Sequence, residues 1–339
     1  MMNKLFWFLI SLALVLNPQH ILAEASATVE AVLETQEQEI IDACLSATIV
    51  TADPDKTVQQ LREICEAKNP GIVQERLYFE KSVGSNPFAI LPHRPNYLLP
   101  VSYSELDQTV YEPQLQGNDL DNVEIKLQVS MKYIAAEDFV FDGVNLQFAF
   151  TATSWWQAYN DEISAPFRET NYEPELIFSY TKPWSLLGLP VRHGFISLNH
   201  QSNGQSGTLS RSWNRLIGGL SIEHNQVVWQ AQLWWRFPED AKIDPDDPGG
   251  DDNPDILEFM GHGQLGVLWR LSRSHNLELR LRNNLRSDNK GAIEIGWSYP
   301  FTSHLRGFVQ YFNGYGESLI YYNESTQRLS IGVKLTDWL

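Results

Sequence analysis

From about residue 95 onward, apolar and polar residues alternate along the chain. Leu277, Leu279, Leu281 and Leu285 interleave with Glu278, Arg280, Arg282 and Arg286. Val227, Trp229, Ala231, Leu233, Trp235 and Phe237 do so with Gln230, Gln232 and Arg236, and Leu329, Ile331, Val333 and Leu335 with Arg328, Ser330, Lys334 and Thr336. A side-chain period of two is that of a strand with one apolar face. The pattern predicts twelve strands, at 96–104, 122–134, 144–158, 173–182, 190–202, 210–223, 225–237, 257–270, 274–286, 289–299, 302–323 and 326–338.

Such strands suit a soluble sandwich or a membrane barrel, and three features favour the barrel. The segments are long for a sandwich but match a tilted membrane strand. Their polar faces carry Arg and Glu in mid-strand, as a polar barrel interior allows. Aromatic residues gather towards strand ends (Trp155, Trp156, Trp234, Trp235, Phe237, Tyr299, Phe301), where interfacial girdles are expected. The predicted fold is therefore all-β, a twelve-stranded antiparallel transmembrane β-barrel with a short N-terminal helical appendage. An even strand number puts both barrel ends on the periplasmic side, with short turns at His224-Asn225 and Phe301-Thr302-Ser303.

Composition narrows the partners. The 339 residues hold 25 Lys+Arg against 42 Asp+Glu, a net charge of −17, which makes nucleic acid a poor partner. Past the first twenty or so residues no apolar run is long enough for a helical span. Those first residues follow the plan of a secretory signal peptide: Lys4, then apolar Leu5–Leu16, then small residues at Ala23 and Ala25, with cleavage expected after one of these two. Export places Cys44 and Cys65 in an oxidising compartment, where an even pair reads as a disulfide. Apolar spacing predicts helices at 35–46 and 57–68, stapled by that bridge. The expected organisation is a signal peptide at 1–23, an acidic periplasmic helical segment at 24–85, and a barrel domain at 86–339.

One stretch departs from plain alternation. In the fifth strand His200 and Ser202 continue the parity of the apolar residues Gly194, Ile196 and Leu198, and Asn214 shares the apolar face of the sixth strand. Three polar residues thus project to the lipid side near the outer rim, an expensive placement unless they satisfy one another or do work. In a hairpin His200 sits opposite Asn214, and Ser202 lies two residues along the same face. That arrangement permits Ser202 as nucleophile, His200 as general base and Asn214 as the residue that fixes the imidazole tautomer. A polar rim on an ordinary barrel is the plainer reading of the same residues.

The residues around this hairpin carry a resemblance. His200-Gln201-Ser202-Asn203-Gly204, followed by Ser210-Arg211-Ser212-Trp213-Asn214-Arg215, resembles the signature of the outer-membrane phospholipase A family. Ser154–Gln157, Pro166–Pro174, Asp252–Asp255 and Gly314–Ile320 extend the likeness over most of 95–339. The resemblance implies a calcium-dependent phospholipase A1/A2 and lysophospholipase in the bacterial outer membrane, active as a homodimer, with a triad of Ser202, His200 and Asn214. It further implies Ca2+ at the dimer interface, held by Ser210, the main-chain carbonyl of Gln205 and the partner subunit's Ser164. Gln205 stands where members commonly carry a basic residue, a change a carbonyl ligand tolerates. Ala152 stands where a glutamine can help join two barrels.

Other features weigh less. The acidic loop Asp244–Asp252 lacks the spacing of a calcium-binding helix–loop–helix and reads as a solvated loop, with an auxiliary calcium contact through Asp252 as the other possibility. The functional alternatives are a non-catalytic porin or structural barrel, and a different outer-membrane hydrolase such as a lipid A deacylase.

Overall fold

The computed structural model describes residues 56–61 and 71–335, except 85, 112–114, 116, 183, 225, 245–248, 273 and 303. Contacts divide the chain into two units, Met1–Gly71 and Ile72–Leu339. In the first, residues 58–61 are helical. The expected signal peptide, the helix at 35–46, the Cys44–Cys65 bridge and most of the helix at 57–68 lie outside the described residues. The second unit opens with helix α1, Ile72–Gly84, and so begins before the expected barrel start at 86.

Twelve antiparallel strands follow among the described residues. They are β1 (Tyr97–Ser104), β2 (Val123–Ala136), β3 (Val144–Trp156), β4 (Phe167–Tyr180), β5 (Leu189–Ser202), β6 (Ser212–His224), β7 (Val227–Arg236), β8 (Gly263–Arg270), β9 (Asn276–Asn283), β10 (Gly291–Pro300), β11 (Arg306–Tyr315) and β12 (Ser325–Lys334). Two short pieces, Leu91–Pro92 and Trp184–Leu186, pair with β2 and β5 respectively. Each strand pairs with the next in sequence, and β12 returns to β1 through Ser330↔Ser102 and Ile331↔Val101, so the sheet closes. The closing seam contains a bulge between Ile331 and Val333. There Gly332 lies so close to β1 that a Cβ would fall 2.2 Å from the Leu98 carbonyl oxygen, which only glycine allows.

The alternation produces an inside-out molecule. On β2 the residues Lys126, Gln128, Ser130 and Lys132 are buried while Val129, Met131 and Tyr133 are exposed. The same exchange recurs on β12, where Arg328 and Ser330 are buried and Leu329 and Ile331 exposed. The outward surface is an apolar belt, and the lumen is packed with charge. Glu124 bridges Arg168 at 2.6 Å and Arg328 at 2.8 Å, while Glu317 takes Arg328 at 2.6 Å and Lys126 at 3.1 Å. A second group joins Arg94, Glu173, Glu175 and Arg215. Charges so buried persist because each has an opposite partner.

Both barrel mouths are filled. At the end carrying the short turns, α1 enters: Glu80 takes Lys132 at 2.8 Å and Arg76 at 2.7 Å, the main-chain N–H of Ile72 donates to Glu223, and Ile72 packs on Val228 and Leu268. At the loop end, the segment between β11 and β12 folds inward and buries Leu319, Ile320, Tyr321 and Tyr322. Its Leu319 and Ile320 N–H groups donate to Asn171 and Glu169.

The structure differs from expectation at three elements. The fourth strand starts at Phe167 rather than 173, because the inward positions Arg168, Glu169 and Asn171 are charged or polar and mask its alternation. Residues Ile256–Met260 form helix α2, so β8 begins only at Gly263. The long run at 302–323 is strand only over Arg306–Tyr315, the rest being the inward loop. Trp155 and Trp234 were expected at girdles and instead face the lumen, 1% and 7% exposed. Trp155 carries the cations of Lys126 and Arg168 on its ring, and the Trp234 indole N–H donates to the Gly261 carbonyl at 2.8 Å. Trp235 and Phe301 do lie on the outside.

Candidate active site

The hairpin of β5 and β6 is held in register by its inward residues. Ser197 donates to Glu175 at 2.9 Å and Asn199 to Glu173 at 2.8 Å. Arg215 reaches across from β6 to Asn199 Oδ1 at 2.7 Å, and Trp213 donates to Gln201 at 2.8 Å. With Ser197, Asn199 and Gln201 turned inward, Ile196, Leu198, His200 and Ser202 must project to the outer wall; a slip of one residue would reverse them.

The observed register sets His200 opposite Asn214 and Ser202 opposite Ser212. His200 Nδ1 lies 2.8 Å from Asn214 Oδ1. An amide oxygen accepts, so this bond places the proton on Nδ1 and leaves Nε2 as the basic nitrogen. Ser202 is the last residue of β5, on the same face as His200 and also opposite Tyr172 of β4. A groove on the outer wall runs from His200, Asn214 and Phe237 to Phe148, Leu176 and Leu198. It offers an apolar bed beside the histidine.

The loop after Ser202 is built on Asn203, which is 3% exposed. Its Nδ2 donates to the Leu209 carbonyl at 2.8 Å, and its Oδ1 accepts from the N–H of Arg211 at 3.0 Å and of Gln205 at 3.3 Å. Gly204 turns the chain at φ +66°, with the Tyr172 ring 3.2 Å from where a Cβ would stand. Asp252 and Asn253, between β7 and β8, brace the hairpin. Asn253 Oδ1 accepts from the Ser212 N–H at 3.0 Å, and Asp252 Oδ2 accepts from Ser210 at 2.8 Å and from Ser212 at 3.1 Å. The Tyr322 hydroxyl donates to Asp255, and burial together with that carboxylate pushes its phenol well above the ordinary range.

The expected metal-binding residues take two positions. Gln205 and Ser210 lie in the loop between β5 and β6, while Ser164 lies between β3 and β4 with φ +61°. Among the described residues no group of three or more His, Cys, Asp or Glu could hold a metal. The Ser210 hydroxyl lies 2.8 Å from the Asp252 carboxylate. Sequence reasoning did not find two participants. Asn203 stood inside the quoted motif with no role given to it. Glu239, whose Oε1 accepts from Asn214 Nδ2 at 2.9 Å, sits 25 residues along the chain in a loop without periodicity.

A closed barrel with an apolar outer wall, a charge-filled lumen and a bonded His–Asn pair beside a serine on that wall defines a class: an outer-membrane β-barrel enzyme. Residues 73–335 match the family model described as Phospholipase A1. Phospholipase A1 of Klebsiella pneumoniae is 35% identical over 252 residues, 74% of this chain and 84% of that protein. An active-site mutant of outer membrane phospholipase A from Escherichia coli, in which alanine replaces an asparagine, has a solved structure with 34% identity and a TM-score of 0.67, covering 74% of this chain and 93% of that one. A Salmonella typhi outer membrane phospholipase, solved as a dimer with bound calcium, is 33% identical with a TM-score of 0.68 over 75% of this chain and 94% of that one. The chain belongs to the phospholipase A1 family.

Proposed function

We propose that this protein hydrolyses acyl esters of phospholipids and lysophospholipids in the outer membrane, with Ser202, His200 and Asn214 as its catalytic triad, working as a calcium-dependent homodimer. The observation that carries this reading is the 2.8 Å bond from His200 to Asn214 on the lipid-facing wall, with Ser202 two residues along the same strand. The side chains face the bilayer, so substrate approaches in the membrane plane and lays an acyl chain along the groove beside Leu198 and Phe148.

The steps follow from the residues present. Ser202 Oγ attacks the ester carbonyl carbon as its proton passes to His200 Nε2. The tetrahedral adduct collapses, and the departing alkoxide takes that proton, leaving an acyl-serine. Water then attacks the acyl-serine with His200 again as base, and release of the fatty acid restores Ser202. Asn214 holds the imidazole in the required tautomer throughout.

Calcium fits the donors available. It prefers hard oxygens, and the Ser210 hydroxyl, the Gln205 carbonyl and the partner subunit's Ser164 supply neutral ones, with the Asp252 carboxylate, itself paired with Lys242, 2.8 Å from Ser210. When bound, the ion supplies electrostatic stabilisation to the charge developing on the carbonyl oxygen. Few protein ligands imply weak affinity, which suits control by dimerisation. Export by residues 1–23 completes the reading.

The test is hydrolysis of phospholipid in detergent micelles with calcium. Ser202→Ala abolishes fatty-acid release while the protein remains a folded barrel, and chelation of calcium removes activity and the crosslinked dimer together. Full activity in Ser202→Ala, or in a calcium-free monomer, contradicts the corresponding part of the proposal.

A further inference from the structure

The Asn214 amide has two ends, and the structure accounts for both. Oδ1 faces His200 Nδ1 at 2.8 Å, and Nδ2 donates to Glu239 Oε1 at 2.9 Å. A carboxylate only accepts hydrogen bonds, so an amide turned by 180° would set two oxygens against each other at Glu239 and an NH2 against the imidazole. We propose that Glu239 is a positioning residue of the catalytic site: it fixes the orientation of the Asn214 amide, and through it the His200 tautomer. This rests on the triad reading above.

The loop is built to hold Glu239 there. The Phe237 N–H donates to the Asn214 carbonyl at 2.9 Å, tying the end of β7 to the site, and Pro238 then restricts the backbone entering Glu239. Just beyond, the Asp251 N–H donates to the Asp240 carbonyl at 2.7 Å and Ala241 bridges Asp251, which closes the loop on itself. Neighbouring charges are engaged elsewhere: Arg236 with Asp251, Lys242 with Asp252, and Arg215 with Glu173 on the lumen side. Glu239 is half-buried, so its bond to the amide is a charge-assisted one at the edge of solvent. The triad thus has a neutral third member in contact with histidine and a carboxylate one step behind it.

The test is a set of micelle assays with calcium on Glu239→Ala, Glu239→Gln, Asn214→Ala, the double variant Asn214→Ala/Glu239→Ala, and Ser202→Ala. Loss of one hydrogen bond to a charged group predicts that Glu239→Ala lowers kcat about tenfold. KM stays within about twofold, because the residue acts on the transition state rather than on substrate binding. Glu239→Gln, which keeps an acceptor oxygen, recovers kcat to within about threefold of the parent by the same reasoning. In the Asn214→Ala background Glu239→Ala changes kcat by less than about twofold, since its target is gone. A wild-type kcat in Glu239→Ala, a Gln variant as impaired as the Ala variant, or a loss that persists in the Asn214→Ala background overturns the proposal. If these occur while Ser202→Ala is inactive, only the role of Glu239 fails; an active Ser202→Ala would remove the triad itself.

Discussion

Asn203 shows how much of the site depends on residues that do no chemistry. Its side chain satisfies three main-chain groups of the loop after Ser202. Asn203→Ala leaves the Leu209 carbonyl and the Arg211 N–H without these partners, at about 1–3 kcal/mol each if they stay buried. The expected outcome is a fall in kcat of about tenfold or more with the barrel intact, because Ser202, the proposed nucleophile, loses its fixed geometry. Steady-state kinetics beside the heat-shift of the folded barrel on a gel check this, and an unchanged kcat would contradict it. At this scale the sequence was informative where periodicity reached. His200, Ser202 and Asn214 share a face because strand parity and hairpin pairing place them there, and both are readable from alternating residues. The contacts of Glu239 and Asp252 run from an irregular loop to a strand, and no repeat in the chain encodes them. Asn203 lay in a recognisable motif, but its loop-closing bonds depend on backbone turns that composition does not display.

Among the elements, the strands with apolar outward faces were legible and those dominated by their inward faces were not. The start of β4 read as a loop because Arg168, Glu169 and Asn171 belong to the lumen network, and charge in a strand hides it from a hydrophobicity pattern. Helix α1 falls inside the helical segment expected at 24–85, but its own bounds were not legible, for a related reason. Its contacts are mostly polar, with Glu80 between Lys132 and Arg76, so it lacks a clean apolar stripe. Burial alone would raise the Glu80 carboxyl, but Lys132 and Arg76 reverse this and hold it at about 2, below the ordinary 4.5. A depressed carboxylate pKa contributes stability that is complete above 4.5 and is lost as the pH falls towards 2. Amide hydrogen exchange in α1 should therefore stay slow from pH 7 to about 5, after correction for the intrinsic rate, and accelerate below that. Glu80→Gln leaves Lys132 buried without its counter-charge, a cost of about 3–5 kcal/mol, and should bring the same loosening at neutral pH. Equal protection of α1 in both proteins at all pH values would contradict this account of its docking.

The unit from Ile72 onward is a barrel whose core is electrostatic and whose exterior is hydrophobic. The chain's net charge of −17 does not describe the lumen, where Glu124, Glu173, Glu175 and Glu317 are matched by Arg94, Lys126, Arg168, Arg215 and Arg328. Burial would raise the Glu317 carboxyl, yet Arg328 and Lys126 hold it at about 2, so the inward loop stays anchored as an ion pair. Helix α1 lies at one mouth and that loop at the other, and the lumen between them keeps a cavity of about 270 Å3. The family to which the chain belongs is one of outer-membrane enzymes. The central claim is that Ser202, on the lipid-facing wall, is the nucleophile. The most direct measurement is to treat the calcium-loaded protein with a long-chain alkyl sulfonyl fluoride and locate the adduct by peptide mass mapping. One sulfonyl group per chain on Ser202, with activity lost in proportion and no adduct in His200→Ala, is the predicted result. Complete inactivation with the label on another residue, or full activity with Ser202 labelled, would contradict it.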